Sequence, residues 1–283
     1  MIFTKNEKTA ICATLFITAL LVILCWSFVR ASAAGPTTDI HLVKYASDTT
    51  TVLQEQTLTY QWMEENLPVY GDGITHYYHQ GPVFEGDMWD PEETANLKDK
   101  GAVKGTSLKD LCDLIGGMFP GDEIMLVSPD GYHVEYAYDN IYRPLVRQGT
   151  ITLCWFKGED ASTSYGYGYP SKNAFSSAMQ VVFMAGTLNP EGKPVFGNND
   201  MRICLPEEKY QHFYEGLPST NGLSGKWISE VRIYSGEAPI DPKVDLADTP
   251  DEETSDDFPW VPVVIGAAGV VLAGSTVFFW KRK

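Results

Sequence analysis

Two unbroken apolar runs, 10–29 and 261–280, stand at the ends of this chain, and the stretch between them is divided into short apolar patterns of two kinds. Runs rich in β-branched and aromatic residues at 40–46, 123–128, 132–138, 150–156, 179–185, 201–205 and 226–234 predict strands. Pro129-Asp130-Gly131 joins the second and third of these as a hairpin. Helical spacing replaces alternation elsewhere. Thr59 opens a short helix that turns Trp62, Met63 and Leu67 inward and stops at Pro68. Ser107 caps another, with Asp110 placed as in a capping box and Leu108, Leu111, Cys112 and Ile115 in one stripe. Gly116-Gly117 ends that helix by supplying left-handed backbone. Pro206 starts a third over 206–214. The middle of the chain, 34–236, therefore predicts one α+β domain with a mixed sheet, and its length is enough for a single core.

The end runs set the address. The run that Val261 opens and Trp280 closes carries no charge and has the length that crosses a bilayer as a helix. It leads into Lys281-Arg282-Lys283 and follows an acidic segment, so 259–280 predicts a transmembrane helix in the lipid bilayer and 281–283 a cytoplasmic tail. Residues 237–258 hold nine acids and one Lys with almost no large apolar group, which predicts a disordered stalk. At the other end, Lys5 and Lys8 precede the apolar run and Ala31-Ser32-Ala33 follows it, so 1–33 reads as a signal peptide. The run is long for that role, and an uncleaved anchor is the alternative. With the signal peptide removed the protein is expected to be a single-pass cell-membrane protein; with the anchor kept both termini are cytoplasmic, and either way 34–236 is expected outside.

Charge narrows the partners. The chain has 21 Lys+Arg against 37 Asp+Glu, a net charge of −16, and several of its basic residues sit at the two ends. Nucleic acid, which is gripped by clusters of Lys and Arg, is excluded as a partner on this balance. A small ligand or an envelope protein is compatible with it. Cys112, Cys154 and Cys204 lie in apolar contexts at wide spacing and predict buried small hydrophobes, with one bridge left open.

The densest polar cluster runs over 71–93 and contains Asp72, His76, His79, Asp87, Asp90, Glu92 and Glu93. Imidazole with carboxylate suits zinc or another divalent metal ion, which makes His76, His79, Asp87 and Asp90 the candidate ligands. Structural hydrogen bonding and a ligand pocket are the competing readings. The histidine spacing shares one side of a helix but opposite faces of a strand, and Tyr77-Tyr78 with nearby glycines favours extended backbone. The segment is long for a connection, yet Tyr77, Tyr78, Val83, Phe84 and Trp89 call for burial. It is expected to be ordered, to pack over the Ser107 helix and to line a cleft. No P-loop or nucleophile elbow appears, and the chain leans away from being an enzyme.

One resemblance follows from the order of motifs. Gly105-Thr106-Ser107-Leu108-Lys109-Asp110-Leu111, Gly116-Gly117 and Ser128-Pro129-Asp130-Gly131-Tyr132 resemble the central part of the sulfite-oxidase-like molybdopterin-binding domain. Gly197, Arg202, Leu205-Pro206 and Lys226-Trp227 are similar to its closing pattern. The resemblance covers about 57–234 and implies that fold, with His79, Arg202 and Lys226 at the cofactor-binding positions. Arg202 and Lys226 would there hold phosphate-like anions; the competing reading is that both are surface charges flanking strands. Catalytic members bind molybdenum through a Cys where this chain has His79-Gln80-Gly81-Pro82, so the resemblance implies the frame without its redox centre. An extracytoplasmic oxidoreductase keeping molybdopterin or a divalent metal is the alternative. The Gly71-Asp72-Gly73 and Tyr78-His79-Gln80-Gly81-Pro82 patterns are also similar to surface proteins of methanogenic archaea.

Overall fold

The computed structural model describes residues 35–158 and 166–236. The signal peptide, stalk, transmembrane segment and tail expected from the sequence lie outside the described residues, and among those described no helix is long and apolar enough to cross a membrane.

The described chain is mixed α+β, mostly sheet with few helices. In chain order it runs β1 Asp39–Tyr45, β2 Val52–Thr59, α1 Tyr60–Asn66, β3 His76–Gln80, β4 Leu97–Ser107, α2 Leu108–Asp113, β5 Glu123–Val127, β6 His133–Ala137, α3 Tyr138–Tyr142 and β7 Thr150–Lys157. It continues with β8 Gln180–Met184, β9 Val195–Phe196, α4 Asn198–Cys204, β10 His212–Phe213, β11 Leu217–Pro218 and β12 Glu230–Tyr234. One five-stranded sheet has the order β2-β1-β12-β5-β6, the other β8-β7-β4-β3-β9, and β10-β11 form a separate hairpin. Both large sheets are mixed: β1 runs parallel to β12, and β3 parallel to β9, while the remaining pairs are antiparallel.

The two sheets share one core. Ile40, Leu42, Ile124, Leu126, Val231 and Ile233 from the first meet Ile151, Leu153, Trp155, Val181, Phe183 and Phe196 from the second, all of them buried. Strand periodicity explains the selection, because alternate residues of a strand face opposite ways. Cys154 and Val182, which fall between those positions, join Val103, Phe175 and Ala178 in a smaller cluster. Cys112, Cys154 and Cys204 are all free thiols.

The helix-start chemistry read from the sequence acts as expected at two helices. Thr59 Oγ1 accepts from the Trp62 amide (3.3 Å), and Ser107 Oγ accepts from the Asp110 amide (3.0 Å). Gly116 and Gly117 have φ of 84° and 68°. Two expectations fail. Residues 201–205, expected as a strand, supply the last four residues of α4 and its C-cap, because Met201 and Leu205 are one helical turn apart and both buried, and Asp200 and Arg202 suit the helix poles. Residues 206–214 give only a 3-10 turn, Glu207–Lys209, and then β10; Lys209 is the one buried residue of that turn, so no apolar stripe supports a longer helix.

Candidate functional site

Strand β4 builds the site through an irregularity. Its pairing with β3 runs His76 to Ala102 and Tyr77 to Gly101, then jumps to Tyr78 with Asp99, which leaves Lys100 without a partner on β3. A bulge of this kind re-aims a side chain. Gly101 follows with φ +90°, and a Cβ there would stand 2.1 Å from Lys157 Cε, so glycine both takes the left-handed turn and admits Lys157. Asp99 holds the bend: it accepts from the Gly101 amide (2.7 Å) and from His76 Nδ1 (2.8 Å).

The result is a cavity of about 230 Å³ walled by Lys98, Lys100, Lys157 and Lys226, with Asp99 as the carboxylate on the wall among the described residues. Lys100 and Lys157 are 5% and 3% exposed, whereas Lys98 and Lys226 reach solvent. Lys100 Nζ donates to Asn221 Oδ1 at 2.6 Å. Burial, helped by the ammonium groups of Lys226, Lys157 and Lys98 and opposed by Asp99, brings Lys100 down to about 7.

Asn221 is placed from the other side. The turn Thr220–Leu223 is tied to β3 through Thr220 Oγ1, which accepts from the Gln80 amide (2.8 Å) and donates to Phe196 O (2.7 Å). Tyr136 Oη donates to Leu223 O (2.7 Å), and Tyr132 Oη donates to Gly222 O. The Asp-Gly-Tyr hairpin visible in the sequence thus fixes the turn that meets Lys100.

His76 and His79 lie on β3 and diverge. His76 faces Asp99, half-buried. His79 is fully buried, with its ring edge-on to Phe183 and Phe196. Its Nε2 accepts from the Phe183 amide (3.1 Å), which puts the ring proton on Nδ1, a buried nitrogen with no hydrogen bond. Burial and then the Lys100 charge hold it well below the usual imidazole range, so the ring is neutral. Asp87 caps the Trp89 amide (3.0 Å), and Asp90 Oδ2 gathers Gln80 Nε2 and the Thr94 and Ala95 amides within 2.6–2.8 Å. These four candidates are not brought together, and among the described residues no group of three or more His, Cys, Asp or Glu is arranged for a metal ion.

The 71–93 segment is ordered, but its anchors run to α4 and the Thr220–Leu223 turn where the sequence predicts packing over the Ser107 helix. Trp89 meets Tyr210 edge-on at 5.8 Å, and Arg202 lies 5.0 Å over the Trp89 ring. Arg202 Nη2 also donates to Asn199 Oδ1 (2.6 Å). Of the two basic residues drawn from the family pattern, Lys226 lines the lysine cavity and Arg202 does not.

A second charged cluster closes the same loop. Glu93 Oε1 accepts from the Asp200 amide (2.9 Å) in the first turn of α4, and Arg147 Nη1 stands 2.5 Å from Asp200 Oδ1. Gly197, the N-cap, has no side chain, and a Cβ there would sit 2.3 Å from Glu93 Cδ; a distant carboxyl replaces the local cap. Burial and the neighbouring Asp200 push Glu93 up to about 8.

Lys98, Lys100, Lys157 and Asn221 were not singled out by sequence reasoning. A signal existed: three lysines at 98, 100 and 104, punctuated by Gly101 and Gly105, in a chain of net charge −16. Comparison with protein-family models, with curated proteins and with solved structures returns no match.

Proposed function

We propose that residues 34–236 form an extracytoplasmic binding domain, held at the cell membrane by 259–280, that takes a small multiply charged anion in the lysine-lined cavity. The observation that carries this reading is Lys100, buried beside three further ammonium groups. Gathering like charges in a half-closed space raises the free energy of the empty domain, and a phosphate, sulfate or dicarboxylate lowers it. The surrounding chain is strongly acidic, so the cluster is not a by-product of a basic composition.

The reading keeps a sulfite-oxidase-like frame as the architecture and drops its redox centre. His79 stands where the family has its thiolate, and its one lone pair is already given to the Phe183 amide. Such a residue offers molybdenum neither a soft anion nor a free donor, so the site does not fit a molybdopterin-held metal.

The test is thermal unfolding of the full chain with inorganic phosphate or sulfate. A ligand bound only by the folded state stabilises it by about 2.7 kcal/mol at about 100 times its Kd. The expected result is a rise in Tm that disappears in Lys100→Met. A rise no larger than that given by chloride at equal ionic strength would overturn the reading.

A further inference from the structure

The lysine cavity adjoins another. Lys98 and Asn221 also line a hollow of about 600 Å³ whose remaining walls include Pro82, Phe84, Tyr132 and Phe213. The smaller space suits a compact charged group, while the larger falls in the range of about 300–1,000 Å³ that small-molecule sites occupy. Phe84 and Phe213 are 67% and 50% exposed. A single exposed apolar side chain is ordinary, but these two converge with Tyr132 on one hollow, and that hollow shares residues with a cluster of lysines.

We propose that the two cavities are one site for an amphipathic anion: a phosphate-like head among Lys98, Lys100, Lys157 and Lys226, joined to an aromatic or short apolar body seated between Phe84, Tyr132 and Phe213. This rests on the anion reading above and adds the class of molecule that carries the charge. The junction residues suit the task. Lys98 can lay its methylene stem along the apolar body while its ammonium turns to the head. Asn221 gives its Oδ1 to Lys100, which leaves the Nδ2 amide as a further donor at the boundary. A soluble ligand is the occupant proposed, because Phe84, Tyr132 and Phe213 line a hollow that shares Lys98 and Asn221 with the lysine cavity.

Calorimetric titration of the full chain with inorganic phosphate and with phenyl phosphate separates the parts. Phenyl phosphate should bind at least about tenfold tighter, the worth of covering one ring. In Phe84→Ser combined with Phe213→Ser, phenyl phosphate should fall to the affinity that the parent protein has for inorganic phosphate. Equal affinities in the parent overturn the amphipathic ligand and leave the anion reading standing. Binding of neither probe overturns both. Flotation that requires phosphatidylglycerol, is lost with phosphatidylcholine vesicles and comes with no phenyl phosphate binding would also overturn the proposal, since the head then belongs to a lipid.

Discussion

Glu93 and Lys100 lie close together in the sequence and both are buried among groups of their own sign, yet the two clusters settle that conflict differently. The acidic one is closed. Glu93 keeps a proton up to about 8, Arg147 faces Asp200, and the α4 amide occupies Glu93 Oε1. The basic one lines a cavity that reaches solvent. Lys100 has an amide oxygen as its hydrogen-bond partner, and the ammonium groups around it wall a cavity. A like-charge cluster completed from within is a fastener, and one left open toward solvent calls for an ion from outside.

The largest expected effect breaks the fastener. Arg147→Met leaves two buried acids without their cation. Loss of one partner from a buried pair costs about 3–5 kcal/mol, and because Arg147 is 36% exposed the low end applies. Chemical denaturation should report a loss of about 2–3 kcal/mol. An unchanged midpoint would mean that Asp200 is neutral and the cluster does not clamp α4.

The two clusters also titrate in opposite senses. Folded Glu93 holds to about 8 a proton that the unfolded chain releases at its ordinary 4.5. The unfolded state therefore binds fewer protons across that window, and stability falls as pH rises through it. Folded Lys100 gives up at about 7 a proton that the unfolded chain keeps to 10.5, so in that range stability rises with pH. Stability should pass through a shallow minimum near neutral to mildly basic pH. Glu93→Gln should remove the falling limb and Lys100→Met the rising one, as read by urea midpoints across the pH range; a curve without the minimum in the parent would contradict both assignments.

Lys100→Met sharpens the contrast further. Replacing a buried, repelled ammonium by an apolar side chain of similar length removes the repulsion and the desolvation, at the loss of the Asn221 bond. The net should be a gain of about 1 kcal/mol in stability together with weaker phosphate binding, the exchange expected where a site is held at the expense of the fold. A variant that is less stable and binds phosphate as before would make Lys100 structural.

Much of the scaffold around these clusters was legible, and the reasons are local. The caps at Thr59 and Ser107, the turn at Gly131 and the nearly continuous burial of β7 and β8 each follow from a few neighbouring residues. Strand β4 was not, because Leu97-Lys-Asp-Lys-Gly-Ala-Val-Lys-Gly-Thr-Ser carries neither alternation nor β-branched density. Its place depends on β3 and β7 pairing to either side of it. The site was missed for the same reason. A bulge appears only when two strands are paired, so nothing in the one-dimensional pattern says that Lys100 turns inward. The histidines drew notice instead, and one of them is a neutral core residue.

The smallest expected effect separates Lys226 from Arg202. The family pattern pairs them as anion holders, whereas here Lys226 lines the lysine cavity and Arg202 covers Trp89. Lys226 is exposed, so water already screens its charge and its part in holding an anion is modest. Lys226→Gln should weaken inorganic phosphate by about fivefold, equivalent to about 1 kcal/mol for a solvent-facing charge contact. Arg202→Gln should leave that affinity within about 1.5-fold and act on stability alone, through the lost stacking on Trp89, worth about 0.5–1 kcal/mol. Calorimetric titration of the two variants side by side decides the matter. Equal losses of affinity would restore the paired arrangement and place the anion away from the cavity that β4 builds.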